Sequence, residues 1–134
     1  MGTKYSRILN APILYKYGIE FRVAKDSEYG KHLEVEQNVV TDVSFFLCQY
    51  FTSMSPEIFE EDVLPEIDRA LKDEPFDTNG GGVYVFLSIG RETSILSGIN
   101  KAEPPAKIST VDMKEIILIW IKWVRDNKLS QYIY

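Results

Sequence analysis

The strongest constraint on this fold is an apolar arc between residues 39 and 54. Val39, Val40, Val43, Phe46, Leu47, Tyr50, Phe51 and Met54 fall on one side of a helix when the chain is wound at 3.6 residues per turn. So wide an apolar side must be covered by a sheet or by other helices. The candidates lie on both sides of it in sequence. Ile13–Tyr17 and Ile19–Val23, flanking Gly18, read as strands, and the second alternates Ile19, Phe21 and Val23 against Glu20 and Arg22. Leu33–Glu36 reads as a further short strand. Val83–Ile89 is the clearest strand, with Val83, Val85, Leu87 and Ile89 on one face and Tyr84 and Phe86 on the other. With both faces apolar, it is expected to be covered on both sides. Gly90–Thr93 turns it into a hairpin with Ser94–Ser97.

Two more helices complete the pattern. Ser55-Pro56 starts one, because serine caps an N-terminus and proline suits the first helical position. Its apolar stripe is Phe59, Val63, Ile67, Ala70 and Leu71, and Pro65 is expected to kink it or restart it near Asp62. The last helix runs from about Val111 to Asn127, capped by Asp112 with Glu115 or by Ser109 or Thr110, and Trp120 stands at the centre of its apolar face. Strands, then helices, then strands, then a helix is an α+β order rather than an alternating parallel one. The expected fold is an antiparallel sheet of four or five strands packed by three helical regions. Residues 1–134 are expected to form one domain with its deepest burial at Phe46, Tyr50, Val85, Leu87, Ile117 and Trp120. The tail Tyr132-Ile133-Tyr134 reads as a final extended segment.

Charge is distributed far less evenly than hydrophobicity. Between Glu57 and Asp77 nine acidic side chains face only Arg69 and Lys72, a local net charge of −7 in a chain whose total is −5. Such a block repels nucleic acid and attracts basic partners. On a helix whose apolar stripe is buried, Glu57, Glu60, Glu61, Asp62, Glu66 and Asp68 point outward together. They form the candidate partner-binding face. Lys4, Arg7, Lys16, Arg22 and Lys25, the basic residues of the N-terminal segment, lack the aromatic interleaving of an RNA-reading surface, so no direct nucleic-acid contact is expected.

Catalytic and cofactor chemistry finds no comparable pattern. Gly80-Gly81-Gly82 leads into a strand, whereas a phosphate cradle leads into a helix N-terminus; the triplet reads as a flexible turn. Cys48 and His32 are the single cysteine and the single histidine, with no third group to orient them, so Cys48 reads as an inert thiol and His32 as a loop residue. The acids lack the alternating ligands and glycine turn of a calcium loop. No catalytic residue, metal or cofactor is therefore assigned. One cysteine allows no intrachain disulfide, which fits a reducing compartment. The longest apolar run, Ile116–Ile121, is far shorter than the roughly 20 residues of a membrane span. Without a signal-peptide core near Met1, the chain is expected to act in the cytoplasm, away from membranes.

A compact, acidic, motif-free domain ending in Ile108-Ser109-Thr110 and then Glu115-Ile116-Ile117-Leu118-Ile119-Trp120-Ile121-Lys122-Trp123 resembles the bacterial immunity proteins of polymorphic and contact-dependent growth-inhibition toxin systems. The likeness lies in the general plan and in the stretch from about 109 to 125. It implies stoichiometric neutralisation of one cognate protein toxin, commonly a basic nuclease, without enzymatic activity of the chain itself. A non-catalytic adaptor with the same acidic face and a small enzyme are the alternatives. Phe45, which projects off the helical arc, and the 78–82 and 90–93 loops are the next candidate contacts.

Overall fold

The computed structural model describes residues 4–26, 30–100 and 103–127. In chain order the elements are β1 (Lys4–Leu9), α1 (Pro12–Lys16), β2 (Ile19–Asp26), β3 (Gly30–Gln37), α2 (Asp42–Thr52) and α3 (Pro56–Ile58). A π-helical turn, Phe59–Val63, follows, then α4 (Leu64–Leu71), β4 (Asn79–Gly82), β5 (Val85–Ser88), β6 (Thr93–Gly98), β7 (Ala106–Ser109) and α5 (Thr110–Asp126). The fold is α+β and antiparallel throughout. Its strands divide into two sheets, β1-β2-β3 and β4-β5-β6-β7. Helix α2 packs against both, so one helix serves two sheets.

Local chemistry explains most boundaries. The hydroxyl of Thr41 accepts the Ser44 N–H at 3.0 Å while Ser44 Oγ accepts the Thr41 N–H at 2.8 Å, a reciprocal cap that starts α2. Val39 and Val40 lie before that cap and are exposed, which corrects their place on the buried arc. Ser55 caps α3 and Pro56 occupies its first turn. Pro65 has no N–H to donate and crowds the preceding turn. The helix answers by widening: the Leu64 N–H donates to the Phe59 carbonyl, one residue further back than in an α-helix. Ser109 caps α5. The Asp112 carboxylate is instead engaged by the Tyr17 hydroxyl and, at 2.9 Å, by Lys16.

Three expected elements differ. Ile13–Tyr17 is not a strand; Pro12 opens a single helical turn there, which reverses the chain between the antiparallel neighbours β1 and β2. Gly18 ends it at φ +74°, where a Cβ would stand 2.7 Å from the Val39 carbonyl oxygen. The glycine triplet is not merely a turn but part of edge strand β4, with a register break between Asn79 and Gly82. Nor is Val83–Ile89 a strand throughout or covered on both sides: the strand is Val85–Ser88, Val83 lies before it and is exposed, and while Val85, Leu87 and Ile89 are buried, Tyr84 is 63% and Phe86 41% exposed. Their face of the second sheet carries no layer among the described residues. His32 stands in β3 rather than in a loop. The 132–134 tail and the side chains of Lys4, Arg7 and Lys25 lie outside what the structure describes.

The core joins both sheets through aromatic rings. Phe21 of β2, Tyr50 and Phe51 of α2, Phe59 of the π-turn and Trp120 of α5 are all fully buried. Phe21 meets Trp120 edge to face at 5.0 Å, and Tyr50 meets Phe59 at 5.5 Å. Burying each such side chain stabilises the fold by about 1.5–3 kcal/mol. On the side of the second sheet, Val85, Leu87, Leu96 and Ile108 close the core, and the Tyr50 hydroxyl donates to the Gly80 carbonyl at 2.7 Å. The six residues expected to be most buried, Phe46, Tyr50, Val85, Leu87, Ile117 and Trp120, all are.

Candidate functional site

Winding residues 56–71 into helix places the acids on one side, but the tertiary fold then sorts them. Glu60 turns toward α5, where the Arg125 guanidinium donates through both terminal nitrogens, one contact being 2.7 Å. That fork holds the Glu60 carboxyl below its ordinary pKa and raises that of Arg125. Asp68 pairs with Lys114 of α5 at 2.7 Å. Glu66 accepts the Asp77 N–H at 2.9 Å and a hydrogen bond from Arg69, and the Asp77 contact is the larger cause of its lowered pKa. Glu57 is exposed and acts on Arg125 only through its charge.

Glu61 and Asp62 are left. Both are exposed on the π-turn, and neither has an ion pair among the described residues. With Ile58, Glu66, Asp77 and Asn79 they rim a groove of about 390 Å³ whose floor is Gly80-Gly81. The Asp77 carboxylate accepts the Asn79 N–H, and the Asn79 side-chain oxygen accepts the Gly81 N–H, each at 2.9 Å. Of the six acids expected to act together, the fold gathers Glu61, Asp62 and Glu66 at this groove and turns Glu60 and Asp68 to α5. Asp77 of the same acidic block and Asn79 of the 78–82 loop join it. Of the 78–82 segment, Asn79, Gly80 and Gly81 line it, whereas the 90–93 turn is tied inward: Arg91 stacks on Phe76 at 5.0 Å and donates to the Ala70 and Glu74 carbonyls.

A second concavity lies where the N-terminal half of α2 meets the ends of β5 and β6. Phe45, Phe46, Gln49, Tyr84, Ile99 and Glu103 line a groove of about 360 Å³ there. An adjoining one of about 400 Å³ shares Phe45, Phe46 and Glu103 and adds Val40 and Asp42. Phe45 was legible as an off-arc aromatic; Tyr84 and Ile99 join it only through the β5–β6 pairing.

The remaining candidates fold into structural roles. The Cys48 thiol is half-buried and its pKa is pushed up to about 12, chiefly by burial and further by the charge of Glu36, so it is not an activated nucleophile. Lys16 and Arg22 are occupied by Asp112 and Glu20. Among the described residues no three His, Cys, Asp or Glu side chains are grouped to hold a metal ion. No described helix is long and apolar enough to cross a membrane. No family model, curated protein or solved structure matches this chain.

Proposed function

We propose that this chain is a bacterial immunity protein. It binds a basic cognate protein toxin in the cytoplasm, one to one, and neutralises it without catalysis of its own. One observation supports the reading: Glu61 and Asp62 stand at a groove with no ion pair among the described residues, while the neighbouring acids Glu60, Glu66 and Asp68 are each matched within the fold. Unpaired carboxylates at a concave rim steer a cationic surface during approach, and a few well-packed contacts then hold it. A nuclease that grips phosphate backbones presents such a cationic surface.

The test uses the native host. The partner retained by the wild-type chain is identified and expressed, and the chain is asked to restore growth of cells that the partner poisons. Stopped-flow association is then measured for wild type and for the double reversal Glu61→Lys, Asp62→Lys. The expected outcome is growth rescue by wild type, with association at low salt slowed about tenfold in the reversal and a flatter salt dependence. An adaptor would bind without rescuing growth. Association rates indifferent to the reversal would remove the acidic groove from the interface.

A further inference from the structure

We infer that the apolar groove between α2 and the β5–β6 end is an anchor pocket for a large apolar side chain flanked by a basic residue on a polypeptide partner. This rests on the reading of the chain as a binding protein but on different residues. Isolated exposed apolar residues are ordinary, whereas a set of them around one concavity is not. Tyr84 and Ile99, 63% and 60% exposed, line a groove whose wall is Phe45, and Val40, 82% exposed, lines the adjoining one that shares Phe45. Phe45 leans on the buried Phe46 ring at 5.8 Å, which backs the wall with packed core. A volume of about 360 Å³ admits one aromatic or branched aliphatic side chain with room at the mouth.

The rim says what kind of partner fits. Glu103 borders both adjoining concavities and Asp42 borders one, and neither has an ion pair among the described residues. Asp42 also favours the first turn of α2, but Glu103 has no such local role. A second copy of this chain seated symmetrically would bring the same carboxylates from both copies into one interface, with no added positive charge from this rim to offset them. Main-chain pairing is discouraged too, because Pro104-Pro105 precede β7 without N–H groups and β4 carries a register break. What remains complementary is a side-chain anchor with positive charge beside it. On the protein partner it would supply packing, while the acidic groove supplies steering.

The probe is a synthetic pentapeptide, Gly-Lys-Phe-Lys-Gly with blocked ends, titrated into the ¹⁵N-labelled full chain. Controls replace Lys by Glu or Phe by Ala. Saturable amide shifts are expected at Gln49, Gly98 and Asn100 with the Lys-Phe-Lys peptide, at least fivefold weaker with either control. Gly98→Leu should fill the groove and abolish the shifts; its Cβ would meet only ordinary contacts, 3.5 Å from Phe46 and 3.7 Å from Glu103, and an otherwise unchanged amide spectrum is the check that the fold is retained. Glu103→Lys, on an exposed side chain, should reverse the preference between the Lys and Glu peptides. Equal binding of all peptides, no shift at millimolar concentration, or shifts along Glu61–Gly81 instead would each overturn the inference. So would concentration-dependent shifts at Gln49 and Gly98 without peptide, which mark self-association. None of these failures touches the kinetic test of Glu61 and Asp62, so the two readings fall separately.

Discussion

The two sheets share one core yet treat their other faces in opposite ways. On the first, Glu20 lies opposite Glu36 and Arg22 opposite Glu34, a polar quartet beside the buried Phe21–Val35 and Val23–Leu33 pairs. Arg22 reaches Glu20 at 2.6 Å, and both side chains are largely covered. On the second, the corresponding positions are Phe86, Ile95 and, at its end, Tyr84, all exposed. The first sheet thus spends charge to hold itself together, whereas the second leaves apolar surface that packing does not require. Helix α2 packs on both sheets, so the asymmetry lies in their outer faces.

The largest test is of the shared core. Trp120→Ala should destabilise the protein by about 3–5 kcal/mol, lowering the urea midpoint in one transition seen alike by probes on both sheets. Separate transitions would break the idea of a common core. Next comes Arg22→Ala, which strands covered carboxylates; chemical denaturation should show a loss of about 1–3 kcal/mol. A neutral result would make the polar quartet decorative.

Glu36 sharpens the same point through pH. Its pKa is raised first by burial and then by Glu34, with Arg22 opposing. The folded state therefore holds this proton more tightly than the unfolded state does. The charged form costs stability at neutral pH, and that cost disappears as pH falls through the folded pKa. Glu36→Gln should stabilise the protein at pH 7 by less than about 1 kcal/mol, with the gain fading in acid. Melting curves across that range would show the opposite slope if Glu36 were held ionised by Arg22. The smallest effect is expected on the second sheet: Tyr84→Thr should shift stability by no more than about 0.5 kcal/mol. A loss well beyond that would make the exposed ring structural and weaken the contrast.

How much of this could be read beforehand follows from what kind of signal each part leaves. Helices α2 and α5 and a departure from regular α-helix before Pro65 were legible because a long period or a missing N–H is local information. Strand β1 was not, since Lys4–Leu9 shows no clean alternation, and β7 spans only four residues, Ala106–Ser109. Strand β4 is nearly all glycine and has no side-chain pattern to read. Ile13-Leu14-Tyr15 misled because its composition suits a strand while Pro12 and the need to reverse the chain decide its shape. The acidic block was plain from charge alone. Its sorting was not, because Arg125 reaches Glu60 across 65 residues of sequence and no spacing rule spans that gap.

Both tryptophans of the chain, Trp120 and Trp123, lie on α5 and are buried, whereas Tyr84 stands at the rim of the apolar groove. Intrinsic emission is therefore divided by location. Tryptophan light should be blue-shifted, poorly quenched by iodide and unmoved by a ligand at either groove, and should redden only when the protein unfolds. A tryptophan placed at Tyr84 would light the other region, so that occupancy of the surface and integrity of the interior could be followed in one cuvette at two emission wavelengths.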